Sequence, residues 1–354
     1  MNLAAVDKIA KAVLYEGYML YPYRPSSVKN QQRWNFGVLC PQSYCDVQDG
    51  TEASTMQTEC LVEGSARSSI EVRVRFLQLS RRSLGQLITS VAELMQGELP
   101  PLRWVDKFEV DGRVYQAWQD AAERGVIVPA CSVEALTRGA VAHSFTFPAE
   151  KQVEALRDAD GLIGGIVVRE SNAVCGVIEL AAARQQDEVF KLTVRIHNKT
   201  LLTGAANTVR ETALLHSLVS THTILGGMNG AFVSLLAPPD RLSEPAAKCK
   251  NVGTWPVLVG DEGQRDTMLS SPIILYDYPQ IAPESAGDLF DGTEIDEILS
   301  LRIMTLTNEE KLEMRQSDER ARQMLERTES MPVEQLMKLH GVLRGLHPLK
   351  EEAE

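Results

Sequence analysis

The chain has 354 residues, of which 44% are hydrophobic, a proportion typical of a globular protein with a sizeable core. Its 48 acidic and 36 basic side chains give a net charge of -12, which argues against nucleic acid as the main ligand, because binding to phosphates needs a basic surface. No apolar run reaches the ~20 residues of a membrane span, and no signal-peptide pattern opens the chain, so we expect a cytoplasmic protein without a membrane span.

The first distinctive feature is an aromatic and basic segment at residues 21–36, YPYRPSSVKNQQRWNF, with four aromatic and three basic side chains. Pro22 and Pro25 favour extended backbone here. Tyr, Trp and Arg contribute much of the binding energy of protein interfaces. The segment is therefore either an exposed partner-binding surface or an irregular stretch whose aromatic side chains anchor it to the core. The candidate partner-binding residues are Tyr21, Tyr23, Arg24, Lys29, Arg33 and Trp34.

Six cysteines are spread over the chain, which indicates reduced thiols rather than a disulfide framework. The closest pair, Cys40 and Cys45, is separated by four residues, at the long end of zinc-ligand spacing. No second close pair or histidine pair completes a tetrahedral site. Cys40 and Cys45 are therefore either weak candidates for metal ligands or structural or surface thiols, and we predict no cofactor.

Alternating hydrophobic residues predict antiparallel strands in the first half. Residues 70–76, IEVRVRF, alternate strictly and predict a half-buried strand. Asp111-Gly112 lies between two strand-like runs and predicts a two-residue hairpin turn. Further strands are expected at 165–169, 173–180 and 190–196. These patterns predict an α+β fold whose antiparallel core is a β-sandwich or open barrel with docked helices.

Two amphipathic helices are predicted to dock on this sheet. Residues 83–86 fit a capping box, and apolar residues then recur at helical spacing up to Gly97. The second helix is expected at 207–225. His216 and His222 would point about 120° apart on it, so they do not share a metal without other ligands. We expect both histidines to have polar structural roles.

Residues 228–292 are rich in Gly, Pro, Asp and Ser and predict long ordered loops with short strands, a kind of region that is often functional. Trp255 is the large aromatic residue of one short apolar run in it. Residues 288–297, DLFDGTEIDE, carry five carboxylates without the order of a calcium loop. These carboxylates either stabilise the N-terminus of a following helix through the helix dipole or bind a basic partner. Asp288 and Asp291 therefore join Trp255 as candidate partner-binding residues.

The C-terminal part changes to helical patterns. Residues 293–304 are helical by pattern, and Thr307-Asn-Glu-Glu310 forms a capping box that predicts a charged helix up to about Glu329. Such a polar helix either packs along an edge or a partner, or is a solvated surface helix. The sequence thus predicts three regions: a mainly β domain at 1–227, loops with short strands at 228–292, and a helical region at 293–354.

No motif for a known catalytic chemistry occurs in the chain. It contains no Gly-x-Ser-x-Gly, no phosphate loop and no dinucleotide-binding fingerprint. An enzymatic site would therefore have to be assembled from distant loops.

Two long segments resemble a family of uncharacterised bacterial proteins associated with gene clusters for nickel-iron hydrogenases. They are LYEGYMLYPYRPSSVKNQQRWNFGVL at 14–39 and NVGTWPVLVGDEGQRDTMLSSPIILYDYPQIAPESAGDLFDGTEIDEILSLRIMTLTNEEK at 251–311. The similarity extends over essentially the whole chain. The segments are distinctive, but they are not catalytic motifs, so the resemblance implies a biological setting and assigns no residue roles.

The leading hypothesis is a non-catalytic accessory or assembly factor that binds a hydrogenase subunit or a maturation protein. It combines the setting that the resemblance implies with the absence of reaction motifs and the aromatic surface segments. The alternative is an enzyme with a loop-assembled site, such as a thiol or metal-dependent hydrolase that uses Cys40 or Cys45 with a distant histidine. A metal-delivery protein is a third hypothesis, but the six histidines are dispersed.

Overall fold

The computed structural model describes residues 6, 9–10, 36–95, 99–280, 303–317 and 319–330. The chain divides into two compact units, Met1–Pro279 and Gln280–Glu354. The first unit is mostly antiparallel β-sheet with a few short helices, and the described part of the second unit is helical. This content agrees with the α+β class expected from the sequence.

All strand pairs in the described residues are antiparallel. The strands are β1 Thr55–Val91, β2 Leu102–Val105, β3 Lys107–Val110, β4 Arg113–Gln116, β5 Trp118–Ser132, β6 Val141–Phe147, β7 Glu150–Arg157, β8 Ile163–Ser171, β9 Val174–Gln186, β10 Val189–Asn198, β11 Val219–Val233, β12 Trp255–Leu258 and β13 Thr267–Ser271. Between residues 36 and 280, the helices are α1 Gln42–Cys45, α2 Val133–Arg138, α3 Arg210–Leu214 and α4 Ser243–Ala247, with 3₁₀ turns at Ala205–Asn207 and Asp240–Leu242 in the described part of the chain.

The 37-residue strand β1 is the axis of the sheet. One edge of β1 pairs in turn with β10, β5 and β2, and the other edge pairs with β11 and then β8. Strands β9 and β6 extend the sheet from β10, while β13 and β12 extend it from β11. The register shifts between Gly64 and Ser69, as expected where a long strand bends at a bulge. Strand β1 thus connects two parts of the sheet: its first part pairs with β10 and β11, and its last part pairs with β2 and β8.

The largest hydrophobic cluster lies against the middle of β1. The four apolar residues of the predicted strand 70–76 are all buried in it, so that prediction is confirmed. The cluster also contains Leu258 of β12 and Phe145 of β6, the strands at the two ends of the sheet order. The Phe76 ring lies 5.9 Å from that of Phe145 and 5.6 Å from that of Phe147. The two ends of the sheet therefore contribute to one interior.

The last third of β1 builds a separate end of the molecule with β2, β8 and β7. Leu84 and Leu87 lie in different hydrophobic clusters, on opposite faces of this part of the sheet. The β3–β4 hairpin packs on the Leu84 face. Its turn residues Asp111 and Gly112 have φ of 51° and 73°, which confirms the predicted hairpin.

The helix predicted after residue 83 is wrong, because these residues continue β1 up to Val91. The capping-box pattern at 83–86 has no helix to cap. Since Leu84 and Leu87 are buried on opposite faces, the period of two that identifies a half-buried strand is hidden. The apolar residues of this stretch are instead spaced as they would be in an amphipathic helix.

The helix predicted at 207–225 is mostly wrong. Only Arg210–Leu214 forms an α-helix, and β11 begins at Val219. Residues 219–227 are all buried, polar ones included, so both faces of β11 are covered and its sequence lacks alternation. The domain boundary expected at residue 227 falls inside this strand.

The second unit contains α5 Asn308–Ser317 and α6 Glu319–Ser330. The predicted capping box is confirmed, since the Thr307 N–H donates to Glu310 Oε2 at 2.8 Å and the Glu310 N–H donates to Thr307 Oγ1 at 3.2 Å. The single helix predicted up to Glu329 is instead two helices that fold back on each other. Lys311 Nζ lies 3.3 Å from Glu329 Oε1, a distance that one straight helix does not allow.

Within the described residues, no helix combines the length and the apolar character needed to cross a bilayer. Residues 293–302 of the helical pattern expected at 293–304 lie outside the described residues.

Candidate functional site

Most of the candidate partner-binding residues lie outside the part of the chain that the structure describes. They are Tyr21, Tyr23, Arg24, Lys29, Arg33, Trp34, Asp288 and Asp291. The structure does place Trp255, Phe36 at the end of the aromatic segment, and Gly37 directly after it. These positions converge on one edge of the sheet.

Trp255 is the first residue of β12, the strand at one end of the sheet order. Its side chain is 43% exposed. Val257, on the same face of β12, is buried in a cluster with Val6 and Ala10 from the start of the chain. The N-terminal residues thus pack on the face that carries Trp255.

The chain after β13 wraps around β12. The Tyr278 N–H donates to the Leu258 carbonyl oxygen at 2.7 Å, and the Leu258 N–H donates to the Asp277 carboxylate at 2.8 Å. Asp277 also accepts a hydrogen bond from the Ser234 hydroxyl. The outer edge of β12 is therefore occupied at Leu258. At Pro256, two residues earlier, the backbone has no N–H to offer.

Alternate residues of this wrapping segment point inward and outward. Leu275 is buried in the same cluster as Val6 and Ala10. Ile274 and Tyr276 point the other way and are 71% and 86% exposed. Two large apolar or aromatic side chains thus face solvent close to Trp255 in the fold.

The aromatic segment ends beside this edge. The Phe36 and Gly37 carbonyls accept hydrogen bonds from Ser220 N and Thr221 N, both at 3.0 Å. Gly37 has φ of 54° and packs so closely that an added Cβ would lie 2.7 Å from Pro272, which only glycine tolerates. Phe36, 40% exposed, is therefore held next to the segment that carries Ile274 and Tyr276. We call Phe36, Trp255, Ile274 and Tyr276 the edge surface.

The candidate thiol site has a different character. Cys40 is buried, and its Sγ lies 3.7 Å from Glu52 Oε2, which is in turn paired with Arg210 at 2.5 Å. Burial raises the pKa of Cys40 to about 12, and the nearby Glu52 carboxylate contributes in the same direction. Burial also raises the pKa of Cys45. Because the thiolate is the reactive form, these environments oppose nucleophilic chemistry at either cysteine.

A buried asparagine joins the loops around Cys40. Asn198 Nδ2 donates to the carbonyls of Leu39 at 2.7 Å and His216 at 3.0 Å, and Asn198 Oδ1 accepts from Thr200 N at 2.8 Å. Asn198 is not among the candidate residues that the sequence singled out. The available signal was a polar residue directly after an alternating strand, but its partners are distant in sequence. The asparagine fixes the chain path and adds no reactive group.

The two histidines singled out in the sequence are far from a metal-ligand arrangement. His216 Nε2 lies 3.1 Å from Asn172 Nδ2, and burial lowers the pKa of His216. His222 is fully buried on β11, and burial lowers its pKa to about 4. Across the described ranges, no group of three or more His, Cys, Asp or Glu side chains is arranged to hold a metal ion.

Comparison with known proteins identifies no family for this chain. No protein-family model and no curated protein matches the chain. The functional argument therefore depends on the edge surface and on the buried state of the thiols.

Proposed function

We propose that this chain is a non-catalytic cytoplasmic accessory or assembly factor that binds a nickel-iron hydrogenase subunit or maturation protein. The observation that carries the proposal is the position of Phe36, the last residue of the aromatic segment, beside the edge of the sheet that carries Trp255. The Phe36 carbonyl accepts a hydrogen bond from Ser220 N, the neighbouring Gly37 packs against Pro272, and Ser271, which precedes Pro272, is paired with Trp255. Phe36 and Trp255, which are far apart in sequence, thus belong to one region of the fold.

The chemistry of this region suits protein recognition. Trp and Tyr supply large rigid contact areas with polar ends, and a few such residues carry most of the energy of an interface. The hydrogenase setting comes from the family resemblance of residues 14–39 and 251–311, which include every member of the edge surface. The protonated thiols at Cys40 and Cys45 argue against the alternative of a thiol enzyme.

For the fold itself, we propose that the sheet forms a sandwich or open barrel. The support is the shared cluster of Leu258 and Phe145 from the two ends of the sheet order. Such closure would present the edge surface on a rigid scaffold.

The test is a pull-down of the tagged protein from its native host, grown under conditions that induce hydrogenase, with co-purifying proteins identified by mass spectrometry. The first variant combines Trp255→Ala and Tyr276→Ala. The second combines Tyr23→Ala, Arg24→Ala and Trp34→Ala. A matched control is Trp104→Ala, since Trp104 is 54% exposed on β2 and outside the edge surface.

We expect a hydrogenase subunit or maturation protein with the wild type and the control, and loss of it with both test variants. With purified partner, losing one central aromatic anchor corresponds to a Kd increase of about 30-fold or more. Equal recovery with Trp255→Ala/Tyr276→Ala and with Trp104→Ala would reject the edge surface. A wild type without a hydrogenase-related partner would reject the proposed function.

A further inference from the structure

The β3–β4 hairpin is built differently from the rest of the first unit. Its two strands form a sheet of their own, separate from the large sheet that contains β1. A lone two-stranded hairpin is at best marginally stable in water. Its order therefore depends on the side chains that hold it against the main sheet.

Those side chains form one small cluster. Phe108, Val110 and Tyr115 of the hairpin pack with Leu84 of β1, Val167 of β8 and Leu156 of β7. Leu84, Val167 and Leu156 are almost completely buried. The hairpin thus covers an apolar strip that runs across three neighbouring strands.

The closest contact in this packing is between Phe108 and Gly165. A Cβ added at Gly165 would lie 2.2 Å from Phe108 Cζ and 2.5 Å from Phe108 Cε2. The aromatic ring thus lies directly on the backbone of β8. It occupies the space that the side chain of any residue other than glycine would fill at position 165. The adjacent Gly164 has room, since its nearest neighbour would be Ser90 Oγ at 3.9 Å.

The hairpin is connected so that it can move as one piece. At its base the Ala117 N–H donates to the Asp106 carbonyl oxygen at 2.7 Å, and at its free end Asp111 and Gly112 form the tight turn. Phe108 and Tyr115 are directly paired across the two strands, with ring centroids 6.2 Å apart. The β1–β8 and β8–β7 pairings do not involve the hairpin, so they can stay intact when it lifts.

We propose that the β3–β4 hairpin is a lid that opens as a unit about its base at Asp106 and Ala117 and uncovers the apolar strip formed by Leu84, Leu156 and Val167. The opened state is a local rearrangement with a lower free energy than global unfolding. Phe108 on Gly165 is one of the contacts that keep the lid closed, and it is the tightest of those described.

The proposal is tested by hydrogen exchange with mass spectrometry on the full chain. We expect the amides of residues 107–116 to exchange together, at least about 10-fold faster than the paired amides of β1 and β8. Gly165→Ala should speed exchange in the hairpin by about another 10-fold and increase the fluorescence of the apolar dye ANS. Gly164→Ala should match the wild type in both measurements.

The variant Phe108→Ala separates lid opening from damage to β8. It should open the lid by itself, and adding Gly165→Ala to it should change hairpin exchange less than about 2-fold, because the clashing ring is gone. Hairpin amides as protected as those of β1 would overturn the proposal. Equal effects of Gly164→Ala and Gly165→Ala, or full additivity of Phe108→Ala and Gly165→Ala, would overturn it too.

Discussion

His222 should make the protein lose stability in mild acid. It lies on β11 with 0% exposure, its Nδ1 is 2.6 Å from the Ser220 carbonyl oxygen, and its Nε2 has no hydrogen-bond partner among the described residues. Burial, with the positive charge of nearby Arg75, lowers the pKa of His222 to about 4. The folded protein therefore keeps this imidazole neutral, with the proton on Nδ1.

The sign and size of the effect follow from linkage. In the unfolded chain the histidine has a pKa of 6.5 and binds a proton readily. Because the unfolded state binds more protons below that pH, stability falls as the pH drops from about 6.5 towards 4. The full loss from this group is about 3 kcal/mol, and about 2 kcal/mol is already lost between pH ~7.5 and pH ~5.

The assay is urea unfolding at the two pH values, followed by circular dichroism. His222→Asn keeps a side-chain donor for the Ser220 carbonyl but does not titrate, so its change in unfolding free energy should be smaller than that of the wild type by about 2 kcal/mol. His143→Asn, which leaves His222 in place, should keep the wild-type difference. If His222→Asn and wild type lose the same free energy, the buried neutral histidine is not the cause and the reasoning fails.

Three further predictions concern the other buried groups. Asn198→Ala should lower the free energy of unfolding by at least about 2 kcal/mol, because it leaves buried backbone partners unpaired. Glu59→Gln should cost about 1–3 kcal/mol at neutral pH, since it breaks the pairing with Lys191 at 3.1 Å. Although burial alone would raise the pKa of Glu59, hydrogen bonds from the Lys250 N–H and Lys191 lower it, so the wild type should lose this stability only below pH ~4.5, and the variant should lack that loss. Cys40 should react with a disulfide reagent at pH ~8 at least about 1000-fold more slowly than an unfolded thiol.

Each of these has a direct control. Asn207→Ala removes an exposed asparagine and should be nearly neutral, so equal costs for the two asparagine variants would contradict the role of Asn198. For Glu59, if the glutamine variant loses as much stability in acid as the wild type, then protonation of Glu59 is not the cause of that loss. For Cys40, mass spectrometry of labelled peptides should find the partly exposed Cys131 modified before the buried Cys40.

Sequence reading succeeded where one face of an element is exposed. Residues 70–76 alternate because charged residues occupy the face opposite the core, and Asp111-Gly112 marks its hairpin because few residues accept positive φ at both turn positions. The capping box of Thr307 and Glu310 is likewise a local pattern with a local bonding partner. In these three cases, interactions between residues close in the sequence were enough to predict the local structure.

Sequence reading failed where both faces of a strand are buried, or where the contact partners of a residue are distant in the sequence. In β1 at residues 84–87 and in β11 at residues 219–227, both faces carry buried side chains, so the hydrophobic period no longer distinguishes a strand from a helix. Trp255 was proposed as a contact residue from composition, but its neighbourhood with Phe36 depends on the order of β11, β13 and β12 in the sheet. Strand order of this kind is a long-range property that one sequence does not reveal.

The occupied outer edge of β12 also bears on whether another sheet can add to this protein at that strand. A sheet that displays Trp255 at its end strand would ordinarily invite another sheet to add on, strand by strand, into a growing fibre. Pro256 contributes no donor there, and Asp277 and Tyr278 satisfy Leu258. Aromatic side chains can therefore be displayed at the margin while its backbone stays closed to polymerisation, so a complex formed there should have a fixed stoichiometry.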